Sequence, residues 1–316
     1  MPVMMRASIS ERTTFRWDLA EELDALGQVG FEALSVWRPK LSDLPLGEAR
    51  RMLDAAGVRV SSLQWAGGFT GSDGRTFRES LTDASEAICD AAELGSDVLL
   101  VHTGCRGGHT LGHARRLVQE ALERLAPIAE EHGVRLALKP THPAASSGCG
   151  FFTELFDAWQ FVEAIGQPSV GLALDLWHFG GQSGLLSLLP AICSRLIVVS
   201  LADCRGAPTA DHERLAPGDG TLPLGRLVTA LADAGFAGDV EFEFVAKPVD
   251  FGCQGQPDDA AADLAAGYHA ALTRARKAAH SYGCLLLPAT RYSSRRFQAS
   301  TQVVSTGSRS KSFRSR

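Results

Sequence analysis

Residues 97–140 read DVLLVHTGCRGGHTLGHARRLVQEALERLAPIAEEHGVRLALKP. Both ends of this stretch are short apolar runs, which are typical of parallel strands that are covered on both faces. Between them, residues 112–131 repeat apolar side chains every three or four positions, and this spacing predicts an amphipathic helix. Gly133 follows as a helix stop. The stretch therefore predicts one unit of strand, helix and parallel strand.

The same unit recurs along the chain. We predict strands at 6–10, 33–38, 59–65, 97–103, 134–140, 170–178, 195–203 and 239–245. We predict helices at Phe15–Leu26, 46–56, 76–94, 112–131, 154–165, 184–192, 224–234 and 258–279. Eight such pairs within residues 1–279 indicate an α/β fold, a single-domain (β/α)8 or TIM barrel. A doubly wound open sheet is the alternative, but no glycine-rich dinucleotide turn follows the first strand.

The C-terminal residues 280–316 differ from the rest of the chain. They contain seven basic residues and no acidic ones, and we predict a basic, disordered tail. A stretch translated from an altered reading frame would look the same. Since the whole chain has a net charge of -5, residues 1–279 are distinctly acidic. This argues against nucleic acid and anionic membranes as partners.

Cysteine usage and hydropathy indicate the compartment. The seven cysteines are odd in number and form no CxxC pair, which fits a reducing environment. No segment approaches the roughly 20 apolar residues that a membrane helix needs. The first residues lack the apolar run of a signal peptide. We therefore expect a cytoplasmic protein.

Catalytic side chains of such barrels lie at the C-terminal ends of the strands. Asp175 interrupts the apolar run GLALDLWH, and a buried carboxylate needs a cation, a metal or several hydrogen bonds. We expect His178 at the rim of the same pocket. Glu243 lies on the polar face of DVEFEFV, nearer than Glu241 to the strand end. A helix-capping Asp175, a loop His178 and an internal ion pair of Glu243 are the plain alternatives.

Lys139 ends the apolar strand VRLALKP. A buried lysine can act as a base or a Schiff-base nucleophile. Its ammonium can instead neutralise Asp175 and Glu243, and we favour this role. Other polar or aromatic residues near strand ends are candidate substrate contacts, although the histidines among them could equally be structural: Trp65, His102, His142, Asp203 and Arg205.

Several motifs in order resemble the xylose isomerase-like superfamily of sugar isomerases and epimerases: LALKPTHP, LALDLWH, VSLADC, PGDG and VEFEF. The resemblance covers about residues 5–275. It implies an enzyme of carbohydrate metabolism with a small sugar-like substrate, and it allows a homo-oligomer without requiring one. It also implies one divalent metal, Mg²⁺ or Mn²⁺, held by Glu, Asp, His and Glu at the ends of strands 5 to 8.

The resemblance carries over to single positions. Asp175 and Glu243 match the metal ligands of strands 6 and 8, and His178 matches a histidine that often contacts substrate. Lys139 stands where the superfamily has Glu, and Ser200 stands where it often has His. Hard divalent ions want several oxygen ligands, so these two departures weaken the expectation of a metal. They also weaken ordinary two-base epimerisation, which needs carboxylates on both sides of the carbon.

Three hypotheses remain from the sequence. In the first, an isomerase, epimerase or related lyase uses Glu243 to abstract a proton alpha to a carbonyl. Lys139 or a residual metal stabilises the enediolate oxygen, and His178 orients a hydroxyl. The second is a catalytically altered, metal-deficient sugar-binding barrel. The third, a nuclease of the endonuclease IV type, is disfavoured because it needs more histidine and carboxylate ligands for several zinc ions.

Overall fold

A computed structural model describes residues 4–145, 150–209, 213–245 and 257–284. Eight parallel strands form a closed barrel in chain order, with β8 paired to β1. The strands are β1 (Arg6–Ser10), β2 (Ala33–Trp37), β3 (Arg59–Gly67), β4 (Val98–His102), β5 (Arg135–Leu138), β6 (Val170–Asp175), β7 (Leu196–Leu201) and β8 (Asp239–Phe242). The predicted TIM barrel is therefore confirmed.

Helices surround the barrel and connect consecutive strands. They are α1 (Leu19–Val29), α2 (Leu46–Ala56), α3 (Phe77–Glu93), α4 (Leu111–Glu131), α5 (Leu155–Ile165), α6 (Leu176–Phe179), α7 (Leu185–Ile192), α8 (Leu224–Asp233) and α9 (Pro257–Ser281). The main core lies between strands and helices, where Leu99 and Val101 of β4 are buried. Alternate residues of the same strand, Val98 and Leu100, join a smaller apolar cluster inside the barrel.

The opposite side of the barrel interior is polar. Three acidic side chains are buried here at alternate positions: Asp239 and Glu241 of β8, and Glu243 directly after it. Asp239 forms ion pairs with Arg6 and Arg59 at the bottom of the barrel. Glu241 accepts hydrogen bonds of 2.7 Å from the hydroxyls of Ser61 and Ser62 in the middle. This polar column leads to Glu243 at the mouth.

Helix α1 begins later than predicted. Asp18 Oδ1 accepts the backbone N–H of Glu21 at 2.9 Å, and the Glu21 carboxylate accepts the N–H of Asp18 at 2.9 Å. This reciprocal capping box sets the helix start at Leu19. Phe15 consequently lies before the helix and is 45% exposed, so the predicted helix start at Phe15 was wrong.

Strands β6 and β8 end earlier than predicted. β6 stops at Asp175, which caps the one-turn helix α6 by accepting the N–H of Trp177 at 2.9 Å. His178 therefore lies on a helical turn and not on a strand. β8 stops at Phe242, but Glu243 stays aligned with β7 because its N–H donates to the Leu201 carbonyl at 3.0 Å.

The C-terminal part packs against the barrel beyond residue 280. α9 continues to Ser281, and Cys284 is buried. The remainder of the predicted basic tail, residues 285–316, lies outside the described residues. Within the described part, no helix is long and apolar enough to cross a membrane. Cys89, Cys193, Cys204 and Cys284 are free, whereas Cys149 and Cys253 lie outside the described residues.

A close approach between β3 and β4 requires glycine at position 67. Gly67 has a φ of 138°, and a Cβ there would lie 1.7 Å from the carbonyl oxygen of His102. We expect Gly67→Ala to lower the free energy of unfolding by about 1–3 kcal/mol, as measured by urea denaturation. Gly27→Ala is the control, because a Cβ there meets nothing within 4 Å. Equal stability of the two variants would contradict this explanation.

Candidate active site at the barrel mouth

Five charged side chains meet at the C-terminal end of the barrel: Arg12, Lys139, Asp175, Arg214 and Glu243. We call this group the charged cluster. Its members follow or end β1, β5, β6, β7 and β8, so the closed barrel brings them together. All except Arg12 are buried. Buried charges are tolerated only when they are paired, and here every carboxylate has at least two cationic partners.

Lys139 lies between the two carboxylates. Its Nζ is 2.9 Å from Asp175 Oδ2 and 3.4 Å from Glu243 Oε2. It also donates to Ser200 Oγ at 3.3 Å, and Ser200 is the register partner of Asp175 on β7. This geometry favours the neutralising role of Lys139 over the nucleophilic one.

Arg214 is a site residue that sequence analysis missed. Its Nη2 and Nη1 lie 2.7 Å and 3.3 Å from the two oxygens of Asp175, and its Nε lies 3.6 Å from Glu243 Oε1. The guanidinium stacks over the ring of Trp177, with 4.9 Å between Cζ and the ring centroid. This forked geometry gives Asp175 a second, more directional partner than Lys139.

The backbone explains why a loop residue reaches the mouth. Leu215 exchanges two hydrogen bonds with Asp203, of 2.8 and 2.9 Å, and the carbonyl of Arg214 accepts the N–H of Val245 at 3.0 Å. These contacts tie the loop after β7 across the ends of β7 and β8. In the sequence, Arg214 is marked only by its position just before the turn PGDG. That position does not indicate that the loop pairs with the ends of β7 and β8.

Arg12 is the second missed residue and the member of the cluster that faces solvent. It follows β1 by two positions, and its Nη1 lies 2.9 Å from Glu243 Oε1. Its side chain is 46% exposed, compared with 6% for Arg214 and 3% for Lys139. The sequence around it, SERTTF, resembles an ordinary polar turn.

The surrounding cations keep both carboxylates ionised. Burial alone would raise the pKa of Asp175, but Arg214 and Lys139 hold it well below its usual range. Burial opposes the ionisation of Glu243 as well, yet Lys139, Arg214 and Arg12 lower its pKa to about 2. Both groups are therefore carboxylates throughout the neutral range.

Two histidines at the mouth are neutral. Burial lowers the pKa of His178 to about 3. The charge of Asp175 acts to raise this pKa, whereas the nearby cations Arg214 and Lys139 lower it further. The Nδ1 of His178 accepts the backbone N–H of His142 at 3.1 Å, which assigns the hydrogen of the neutral ring to Nε2. Nε2 lies 3.8 Å from Asp175 Oδ2 and, at the longer limit of a hydrogen bond, 3.5 Å from Arg214 Nη2. Burial and the charge of Lys139 lower the pKa of His102 to about 3.

Trp65 lies beside His102 at the mouth. Their rings meet edge to face, with 5.3 Å between centroids, and the Trp65 side chain is 42% exposed. The buried Nδ1 of His102 has no hydrogen-bond partner among the described residues. Trp65 also lines a cavity of about 500 Å³, but its other walls come mainly from the segment after β2 and from α3, and no member of the charged cluster lines it. His142 contributes its backbone, while its ring accepts the N–H of Ala144 at 3.2 Å.

The side chains of Asp203 and Arg205, which we predicted as substrate contacts, form hydrogen bonds within their own loop. The buried carboxylate of Asp203 accepts three backbone N–H groups, from Cys204, Gly218 and Leu222, at 2.9–3.0 Å. Arg205 is exposed and donates to the carbonyl of Asp219 at 3.1 Å. Both side chains bind their own loop, and Asp203 thereby fixes the PGDG turn that precedes α8.

The side chains at the superfamily's metal position do not fit a divalent metal. Lys139 and Ser200 stand at two of the four ligand positions that the resemblance implies, and the carboxylates at the other two already bind cations at 2.7–3.4 Å. A divalent ion there would face three positive charges in a buried site, which is strongly unfavourable. In the described part of the chain, no three His, Cys, Asp or Glu side chains are grouped to hold a metal.

Comparisons with known proteins agree with the fold. An inosose isomerase of Halalkalibacterium halodurans is 25% identical over 209 residues, which are 64% of this chain and 72% of that protein. A putative hydroxypyruvate isomerase of Streptomyces coelicolor is 27% identical over 258 residues, 73% of this chain and 86% of that protein.

A solved structure of the IOLI protein with a bound zinc atom superposes with a TM-score of 0.71 at 20% identity, covering 88% of this chain and 98% of that one. At this identity the superposition supports the fold alone. The sequence profile of the xylose isomerase-like TIM barrel family matches residues 23–270, most of the chain. The chain therefore belongs to the xylose isomerase-like TIM barrel family of sugar isomerases and epimerases.

Proposed function

We propose that this protein is an isomerase, epimerase or related lyase that moves a proton at the carbon alpha to a carbonyl. Its substrate is a small sugar-like or hydroxy-carbonyl compound. The observation that carries the proposal is the convergence of Glu243 with Lys139 and Arg214 at the barrel mouth. This combination supplies one proton acceptor and two fixed positive charges. The relatives named as an inosose isomerase and a putative hydroxypyruvate isomerase support the same class.

Removal of an alpha proton leaves negative charge on the carbonyl oxygen of the substrate. A preorganised positive charge in a water-poor site stabilises such an oxyanion strongly. The Lys139 ammonium and the Arg214 guanidinium are buried within 3.6 Å of Glu243, so both lie close to the base. In this proposal they carry out the electrostatic work that the superfamily assigns to a metal, and no step passes through a metal.

Glu243 is the proton acceptor in this proposal. In the free protein its pKa of about 2 makes it a weak base. When a substrate oxygen takes up N–H groups of Lys139 and Arg214, these cations stabilise the Glu243 carboxylate less. Its basicity then rises as the oxyanion develops. The Nε2–H of His178 orients a substrate hydroxyl, and Trp65 and His102 contact the carbon skeleton.

A sugar-binding barrel without turnover is the second candidate. It is favoured by the complete ion pairing of Asp175 and Glu243 and by the low pKa of Glu243, since a well-neutralised carboxylate takes up protons poorly. The two candidates differ in one observable. Only the enzyme exchanges the alpha proton of a bound ketose, inosose or hydroxypyruvate with D2O.

We expect Glu243→Gln to reduce alpha-proton exchange by at least about 100-fold, because the amide cannot accept the proton. The exchange is measured by NMR in D2O for a panel of ketoses, inososes and hydroxypyruvate. Glu241→Gln is the matched control, since it lies two residues earlier on β8 and its Oε1 acceptor for Ser61 and Ser62 is kept in the amide. Full exchange in Glu243→Gln with an intact far-UV spectrum would refute Glu243 as the base.

The pH profile of kcat/KM provides an independent test. Because the pKa values of Glu243 and His178 are about 2 and 3, both groups hold one protonation state across the neutral range. We expect kcat/KM to stay flat from about pH 5 to about pH 8. Burial raises the pKa of Glu241 to about 7. An acidic limb near pH 7 would therefore identify Glu241, and not Glu243, as the essential base.

A further inference from the structure

The charged cluster contains more positive than negative charge. Among the described residues, Arg12, Lys139 and Arg214 surround two carboxylates at the mouth, Asp175 and Glu243. Glu241 lies one layer deeper, and because burial raises its pKa to about 7 it carries only part of a negative charge at neutral pH. The two histidines at the mouth are neutral and do not change this balance. A surplus positive charge at a partly enclosed mouth creates a potential that attracts an anion.

Two further acidic residues close to Arg12 in sequence do not compensate this charge. Glu22 pairs with Lys40, with 2.9 Å between Oε2 and Nζ, and also accepts the hydroxyl of Thr14. Glu11 accepts the backbone N–H of Trp37 at 2.6 Å. Burial raises the pKa of both carboxyl groups, and Lys40 offsets the charge that remains on the pair. Both are buried under the loop after β1 and engaged there.

The surplus charge reaches solvent through Arg12. Lys139 and Arg214 are enclosed, whereas the Arg12 side chain is 46% exposed. Only Nη1 of its guanidinium has an acceptor among the described residues, namely Glu243 Oε1 at 2.9 Å. A guanidinium has five N–H donors in a planar fork that matches carboxylate and phosphate oxygens. Arg12 can therefore bind a second anion without leaving Glu243.

We propose that Arg12 binds an anionic group of the substrate, so that the substrate is a hydroxy-carbonyl carboxylate or a phosphorylated sugar and not a neutral sugar. The inference rests on the proposed function, because it places that anion next to the carbon where Glu243 acts. A neutral polyol would leave the surplus charge of the cluster uncompensated when it binds beside Arg12, whereas an anion balances it.

Equilibrium binding tests this specificity. Isothermal titration calorimetry is carried out with hydroxypyruvate, with inorganic phosphate and with a neutral inosose, for the unmodified protein and for Arg12→Gln. We expect one of the two anions to bind more tightly than the inosose. Arg12→Gln should raise the Kd for that anion by about 10- to 100-fold, because one or two charge-assisted hydrogen bonds are lost. The Kd for the inosose should stay within about twofold of its value in the unmodified protein. The anion that responds tells a carboxylate from a phosphate.

Two variants control for other effects of the substitution. Arg12→Lys keeps the charge and should retain most of the preference for the anion. Arg16→Gln removes another exposed arginine of the same loop, whose guanidinium lies over the ring of Phe15, and should change nothing. Glu243 keeps Lys139 and Arg214 in both variants, so the cluster stays paired. Preferred binding of the inosose, or anion binding that Arg12→Gln does not weaken, would overturn the proposal.

Exchange in D2O separates failure of this inference from failure of the proposed function. Alpha-proton exchange on a neutral ketose that is lost in Glu243→Gln and retained in Arg12→Gln overturns the anion preference and leaves the proposed function standing. If an anion binds in an Arg12-dependent way but no alpha-proton exchange occurs on any substrate, anion recognition by Arg12 is supported and the proposed reaction is refuted.

Discussion

The ion pair between Lys139 and Asp175 is the constraint on which the mouth of this barrel depends. The two charges lie 2.9 Å apart and are 3% and 0% exposed. Breaking a buried pair by removing one partner leaves an uncompensated charge, which costs about 3–5 kcal/mol. Asp175 cannot be satisfied by Lys139 alone, because it has two oxygens. The second oxygen recruits Arg214 and the N–H of Trp177.

This requirement links distant parts of the chain. Arg214 reaches Asp175 only because the loop after β7 is tied back by Asp203 and Leu215, and Asp203 in turn organises the PGDG turn. Glu243 then shares the cations with Asp175. The result is a preorganised set of positive charges around a carboxylate, which suits the stabilisation of an oxyanion without metal ligation.

Much of this arrangement could be predicted from the sequence. The barrel followed from eight apolar runs alternating with helical spacing, and Asp175, Lys139 and Glu243 stood out because each is a charged residue in an apolar or alternating strand. The start of α1 was also within reach, since Asp18 and Glu21 have the spacing of a capping box.

Other features could not be predicted from local patterns. Arg12 and Arg214 lie in polar loops, and their place in the site depends on long-range pairing that no local pattern encodes. Asp203 and Arg205 were expected at the mouth because they follow a strand, but three backbone N–H groups and a carbonyl hold them within their loop. A position at a strand end therefore predicts proximity to the site, while hydrogen bonding decides which side chain faces the substrate.

We propose that buried cations take the place of a divalent metal at this barrel mouth. Metal analysis of the purified protein, combined with alpha-proton exchange before and after EDTA treatment, decides between the two. A Lys139→Glu/Ser200→His variant, which rebuilds the ligand types of the superfamily, serves as the positive control for metal uptake. We expect no stoichiometric metal in the unmodified protein, and alpha-proton exchange that EDTA does not affect. Stoichiometric Mg²⁺, Mn²⁺ or Zn²⁺, with exchange lost in EDTA and restored by the metal, would contradict this proposal.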